Sequence, residues 1–395
     1  MKSSLFTGSN AEQTRRHNRR VVLGQIRTSR RMGRAEIARI SGLSVQAVSN
    51  IIASLLSEGL LIEDGQICHG RGLPATQYKL NPEGGYALGF EISPRSISAA
   101  LLNITGDLYL KKRLKMDNCE PAAISQRVHN LMHSMLEETG VQQEQLLGAG
   151  IVMPGPFIPT GLANTSSVLA GWENIDPVQL FSHTLSVPVL VENDANAAAV
   201  GEQVSGCAAK LRNYAFIYFG TGLGLGIVQD GDLFRGCNGN AGELGHILVP
   251  QPASRATMPT TELVPLETVA SRIAMQHSLK QVGIQVDSIQ DIEQLAISQS
   301  PELDHWLSDA ASALSHAIHV VENLFDPDTV VIGGALPDIV LSVLIDRIAL
   351  AQQSIAHREN RQYPRIMQGQ SGWLSAAQGG AALVINQLFT PRSLS

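Results

Sequence analysis

The sequence is poor in the features that mark secreted, disulfide-stapled or membrane-spanning chains. Its 395 residues include four cysteines, Cys68, Cys119, Cys207 and Cys237, and no two of them form a CxxC pair. That spacing gives no disulfide framework. No run of 18 apolar residues occurs, so no segment reads as a transmembrane helix, and the first residues lack the apolar core of a signal peptide. A cytoplasmic protein without a membrane partner is expected. At 44% hydrophobic and 16% charged, the composition excludes a disordered chain. The length suits two or three domains.

Charge is present in the wrong proportion for a uniform surface. The net charge is −6, yet residues 1–71 hold eleven Lys or Arg against five Asp or Glu, a balance of +6 that leaves −12 for the rest. A basic head on an acidic body points to a head that meets a polyanion, although a solvated basic tail has the same charge.

The head carries a pattern more specific than its charge. Residues 1–14 are polar and read as a flexible arm, and Val21, Val22, Leu23 and Ile26 predict a first helix over roughly 18–28. Gly33 breaks the chain. Arg34 to Ser41 reads as a second helix, Gly42-Leu43-Ser44 as a turn with Ser44 as N-cap, and Val45 to Glu58 as a third helix. A steep crossing through so short a turn needs a small residue at Ala38, a positive φ at Gly42, and apolar fillers at Ile37, Leu43, Val48 and Ile51. One register satisfies all of these, which predicts a helix-turn-helix. The outer face of the third helix then carries Ser44, Gln46, Ala47, Ser49 and Asn50. Gln and Asn can pair bidentately with adenine. Taken singly, each is also compatible with an ordinary solvated polar residue. Arg15, Arg16, Arg19, Arg20 and Arg34 read as phosphate or minor-groove contacts, which position a duplex without specifying its sequence. Two apolar runs around Asp64-Gly65 predict a hairpin, the wing. Gly70 to Pro74 reads as a linker in which Arg71 either enters the minor groove or acts as a tether. The expected division is an arm over 1–14, a winged helix-turn-helix over 15–71 and a linker over 72–85.

From Tyr86 onward the rhythm changes to strands, hairpins and helices. It restarts after Tyr214, so two similar α/β lobes around a cleft are expected, 86–200 and 201–395, with the C-terminal helices returning to the first. The cleft residues that bear chemistry follow glycine-rich turns or strand ends. Asn193-Asp194 follows a strand, Glu243 and His246 lie three apart, and Glu267 opens a helix. Carboxylates, an amide and an imidazole so placed are strong hydrogen-bonding groups at the mouth of a cleft. Alone, Asp194 could be a helix cap and His246 a structural histidine.

The motifs Met153-Pro154-Gly155-Pro156, Val191-Glu192-Asn193-Asp194-Ala195-Asn196-Ala197, Gly220-Thr221-Gly222-Leu223-Gly224-Leu225-Gly226, Asn240-Ala241-Gly242-Glu243-Leu244-Gly245-His246, Leu266-Glu267-Thr268 and Val331-Ile332-Gly333-Gly334 occur in order. With the head, they give a chain that resembles the ROK family (repressors, open reading frames and kinases) in its repressor branch. The resemblance implies a two-lobed actin-like, ribonuclease H-like sugar-kinase fold behind the head. It also implies sugar contacts at Asn193, Asp194, Glu243, His246 and Glu267, with Asp194 matching the general base of the family's kinases.

Three departures bear on function. Where the kinases carry an aspartate and a Gly-Gly-Thr turn, this chain has Glu91-Ile92-Ser93-Pro94-Arg95-Ser96. Proline lacks the N–H, and the glycines that allow close approach of phosphate are gone, so no catalytic residue and no cofactor is expected. The segment Ala253 to Leu266 has no cysteine where many members hold zinc with three cysteines and a histidine at the position of His246, so no metal is expected. Ser167-Val168 replaces a Pro-Asn pair that helps such proteins read the sugar. The expectation is a sugar-responsive regulator, a repressor of carbohydrate genes, working as a homodimer or homotetramer on double-stranded operator DNA. The alternatives are an active sugar kinase with a DNA-binding head, and a DNA-binding protein governed by a partner protein.

Overall fold

The computed structural model describes residues 11–67, 74–155, 169, 171–172, 174–252 and 262–389. Arg71, Ser167 and Val168 therefore lie outside the described residues.

The head opens with α1 (Ala11–Ser29), followed by β1 (Met32–Gly33), α2 (Arg34–Ser41) and α3 (Val45–Ser57). Apolar spacing predicts the first helix from residue 18; it begins earlier because Glu12 and Arg16 pair four residues apart on an exposed face that has no apolar signal. Residues 11–14 of the expected arm are thus helical. The path turns by 120° between α2 and α3. Gly42 makes this turn possible at φ +70°, and the Ser44 hydroxyl caps α3 by accepting from the Ala47 N–H at 3.2 Å. Ile37, Ala38 and Val48 are buried as the crossing requires, whereas Leu43 and Ile51 are only half-buried; Ile52 and Leu55 complete the core.

The hairpin differs from expectation. β2 (Leu61–Ile67) is one continuous strand, and Asp64-Gly65 is a bulge within it, with Gly65 at φ +76°, rather than a hairpin tip. Its partner is β3 (Ala75–Leu80), drawn from the segment read as linker. Buried Tyr78 and Leu80 hold β3 in place, and Asp64 pairs with Lys79 at 2.6 Å. The sheet order is β1-β3-β2.

The first lobe comprises β4 (Tyr86–Ser93), β5 (Ser96–Asn103), β6 (Leu108–Lys115), α4 (Pro121–Thr139), β7 (Leu146–Met153), α5 (Pro177–Leu185), β8 (Val189–Asn193) and α6 (Asp194–Ser205). The second begins with β9 (Tyr214–Phe219), β10 (Leu223–Gln229), β11 (Asp232–Leu233), β12 (Leu248–Pro250) and β13 (Leu263–Pro265). It continues through α7 (Glu267–Ala270), α8 (Arg272–Gln281), α9 (Ile289–Ile297), α10 (Pro301–Phe325), β14 (Thr329–Gly334), α11 (Asp338–Arg347) and β15 (Ile366–Gln368), and α12 (Ser375–Phe389) follows. The two large sheets share one plan. Their orders are β6-β5-β4-β7-β8 and β11-β10-β9-β14-β15: an antiparallel meander whose first strand also pairs in parallel with a fourth, and that with a fifth.

Helices α6 and α12 run close together between these sheets. Glycines let the backbones touch. A Cβ on Gly89 would lie 1.8 Å from the Ala377 carbonyl oxygen, and one on Gly379 would lie 1.7 Å from that of Ala197. This close seat fixes the start of α6, and with it Asn193 and Asp194, against both lobes.

Candidate functional site

Two places gather the residues singled out by sequence. The first is the outer face of the head. Gln46 and Asn50 are both exposed, one turn apart on α3, and the Gln46 amide donates to the Asn50 carbonyl oxygen at 3.1 Å. Ala47 and Ser49 are half-buried beside them. A groove of about 430 Å³ between α1 and α3 is lined by Arg15, Asn18, Arg19, Ala47, Asn50 and Ser54, among others. Arg15 is exposed at its rim, while Arg16 is exposed and paired with Glu12.

The arginines are not equivalent. Arg19 is half-buried and forks onto both carboxylate oxygens of Glu58, which also accepts from Ser54 at 2.7 Å; the fork joins α1 to the end of α3 and holds the Glu58 carboxyl below its ordinary range. Arg34 lies over the Tyr78 ring at 5.1 Å and braces α2 on β3. Arg20 is half-buried. Ser44 spends its hydroxyl on the cap. Of the polar side chains predicted to meet bases, Gln46 and Asn50 are therefore the best presented.

The second place is the cleft. β8 ends in Asn193, whose Oδ1 accepts from the N–H groups of Ala195 (2.9 Å) and Asn196 (3.2 Å) and so starts α6. The cap is Asn193; Asp194 is the first helical residue. With Oδ1 occupied, the Asn193 Nδ2 points toward Gly155, 3.1 Å from where a Cβ would stand, with Glu243 Oε1 at 3.9 Å from the same point. Glu267 Oε2 stands 3.2 Å from the corresponding points on both Gly222 and Gly245. His246 sits between two carboxylates, 3.8 Å from Glu243 and 4.0 Å from Glu267. The structure thus brings Asn193, Asp194, Glu243, His246 and Glu267 to one glycine-lined opening. Among the described residues no group of three or more His, Cys, Asp or Glu is arranged to hold a metal ion.

Electrostatics single out Asp194. Burial, then the neighbouring Glu91 and Glu243, raise its carboxyl from 3.8 to about 7. Burial also raises Glu243, against the pull of His246. Glu91 is raised by burial and restrained by the Tyr218 hydroxyl, which donates to it at 2.8 Å across the two lobes. The same surroundings push the Tyr218 hydroxyl well above its ordinary value.

Sequence reading missed several partners. Tyr218 lay inside a strand and looked like core. Glu192 accepts from Asn196 at 3.0 Å and from Arg235 at 2.7 Å, and so fixes the segment that carries Asn193. Arg272 opens α8 with its Nε buried, and burial lowers its pKa. Nothing in the spacing of these residues announces a role, since their partners come from distant strands.

Comparison with known proteins places the whole arrangement. The chain is 26% identical to the xylose repressor of Bacillus spizizenii over 328 residues, which cover 82% of this chain and 84% of the repressor. It is 29% identical to a glucokinase of Halalkalibacterium halodurans over 267 residues, covering 63% of this chain and 80% of the enzyme. The crystal structure of a ROK family transcriptional regulator, a homologue of the E. coli Mlc protein, superposes with a TM-score of 0.69 at 23% identity, covering 95% of this chain and 97% of that one. The model of the ROK family matches residues 87–387, the span that holds both lobes and every cleft residue described above, and the chain belongs to the ROK family.

Proposed function

We propose that this chain is a sugar-responsive, DNA-binding repressor of carbohydrate genes, in which the kinase-like lobes sense a sugar and do not phosphorylate it. The observation that carries this reading is the pairing of two surfaces in one chain. A basic head presents Gln46 and Asn50 on the open side of a steeply crossed helix pair, and a cleft behind it gathers three carboxylates, an amide and an imidazole. The head acts as a winged helix-turn-helix: α3 enters the major groove, β2 and β3 form the wing, and Arg15 and Arg16 touch phosphates. Two heads of a homodimer or homotetramer take the two halves of a palindromic operator. Names of relatives agree with this reading, since xylose repressors from several bacteria align over most of the chain.

In the cleft, Asn193 and Asp194 from the start of α6 and Glu243, His246 and Glu267 from the second lobe hydrogen-bond sugar hydroxyls. Closure of the lobes on the sugar changes how the heads are presented. Reciprocity then requires DNA to change sugar affinity by the same factor, typically about 5- to 150-fold. The test is fluorescence anisotropy with duplexes from the protein's own promoter region, with and without D-xylose, D-glucose and amino sugars, beside calorimetry with the same sugars. Identical duplex affinity throughout, together with no sugar binding, would sink the sensor reading.

One observation favours an enzyme instead. Asp194 at about 7 is well tuned for a general base, and it lies 3.1 Å from the point where a Cβ on Gly220 would stand, beside the glycine loop. Against this, β4 and β5 join through the two residues Pro94-Arg95, with Ser93 bonded across to the Ser96 carbonyl at 3.0 Å. Pro94 in that turn has no N–H to offer a phosphate. A coupled ATPase assay with a hexose panel separates the readings: turnover with any hexose would make the chain a kinase.

A further inference from the structure

The head does not hang free of the lobes. One continuous apolar cluster contains Val22, Leu23 and Ile26 of α1, Ala87 and Leu102 of the first lobe, and Ile385 and Phe389 of α12, every one of them buried. Beside this cluster the Arg27 guanidinium donates to Asn386 Oδ1 at 2.7 Å and lies over the Phe389 ring at 4.6 Å. Gly24 comes so near that a Cβ there would stand 3.1 Å from the Phe389 carbonyl oxygen.

The other end of α12 is seated on α6, the helix that begins at the cleft. Fully buried Glu202, on α6, accepts from the N–H groups of Gln370 (2.9 Å) and Ser371 (2.8 Å), just before α12 begins. Gly379 rests on the Ala197 carbonyl, one turn from Asp194, and Gly201 rests on that of Ser375. These contacts are backbone on backbone. At these two points no side chain lies between α6 and α12 to absorb a displacement, and close-packed interiors pass strain on.

We propose that α12 is a rigid rod between the sugar cleft and the head, and that Arg27, Asn386 and Phe389 are the latch that sets how the head is held. The fifteen residues of α12 span roughly 22 Å, from Ser375 beside Gly201 of α6 to Phe389 beside Gly24 of α1. Movement of Asn193 and Asp194 with a bound sugar shifts α6, α6 carries α12, and the latch turns α1. Arg27 is a positioning residue in this scheme. It is half-buried, burial lowers its pKa to about 10, and Asn386 and the Phe389 ring lie beside its guanidinium. The scheme rests on the reading of the head as DNA-binding and the cleft as sensing, but its mechanical core can be tested without DNA or sugar.

The test is hydrogen–deuterium exchange on the full chain, with β9 and α10 as internal controls. Arg27→Met keeps most of the side chain's length and removes the latch. Exchange in α1 should then rise at least about tenfold, with the controls unchanged, and Arg27→Lys should fall between. Glu202→Gln disturbs only the far end, and so does Gly379→Ala. Either should raise exchange in α1 as well, because a rod moves at both ends; Glu202→Gln keeps the question answerable if Gly379→Ala does not fold. Exchange raised around α6 alone, with α1 unchanged, would show that α12 transmits nothing. Unchanged α1 exchange in Arg27→Met would remove the latch. A wild-type chain that ignores promoter duplexes would defeat the DNA reading, while the exchange pattern would still decide the rod.

Discussion

Asp194 stands in the cleft with Glu91 and Glu243 as neighbours, and burial with those two charges lifts its carboxyl to about 7. A folded value above the ordinary 3.8 means that the native state prefers the protonated form. The stability this gives is full below about pH 4 and is lost as pH rises through 7. Asp194→Asn has no proton to lose. Between pH 5 and pH 8 the wild type should therefore lose roughly 1–2 kcal/mol more than the variant, well below full conversion of the shift because water reaches the cleft. Thermal melts at the two pH values measure this, and parallel losses would contradict it. On the head, Gln46→Ala and Asn50→Ala should each cost about 1–3 kcal/mol in promoter affinity if they pair with bases. Neither should change the salt dependence. Anisotropy titrations on specific and scrambled duplexes provide the check: an equal loss on both would mark the residues as backbone contacts.

At the scale of elements, the junction of α1 with α3 separates two roles that sequence assigns alike to arginines. Arg15 is exposed at the groove rim, whereas Arg19 is committed to Glu58. Arg15→Ala should lower the slope of log affinity against log salt by about one and leave melting unchanged. Arg19→Ala should do the reverse, with a modest fall in stability of about 0.5–1 kcal/mol for a partly exposed fork and little change in slope. Matching effects from both variants would show that Arg19 leaves Glu58 to meet phosphate. Legibility follows the same division between local and distant causes. The crossing of α2 and α3 could be read because Ala38, Gly42, Ser44 and Val48 act within a dozen residues of one another. The hairpin was misplaced because Asp64-Gly65 has the chemistry of a turn, yet the bulge is set by pairing with Lys79 and Tyr78 across the sheet. In the cleft, the gathering of Asn193, Asp194, Glu243, His246 and Glu267 was legible through ordered motifs. Glu91–Tyr218 and Glu192–Arg235 were not, since each pair joins elements far apart in sequence.

Across the whole molecule, charge is divided along the fold. The head carries the excess of Lys and Arg, and the two lobes behind it carry the excess of Asp and Glu. Because α12 and the apolar cluster tie head to lobes, the acidic lobes stay near any duplex the head grips. Their field opposes association and is screened within about 8 Å at physiological ionic strength, so it weakens distant approach more than contact. Counterion release at the head acts the opposite way: added salt weakens binding. A dimer placing Arg15 and Arg16 of each head on phosphates gives a slope of roughly −3 to −4 in log affinity against log salt. Repulsion from the lobes flattens this at the lowest salt, because screening first relieves it. The expected curve is therefore shallow at the lowest ionic strengths and steep from about 50 to 200 mM. A straight line of slope near −1 throughout would mean that the basic head contacts almost no phosphate, and the division between a DNA-gripping head and sensing lobes would have to be abandoned.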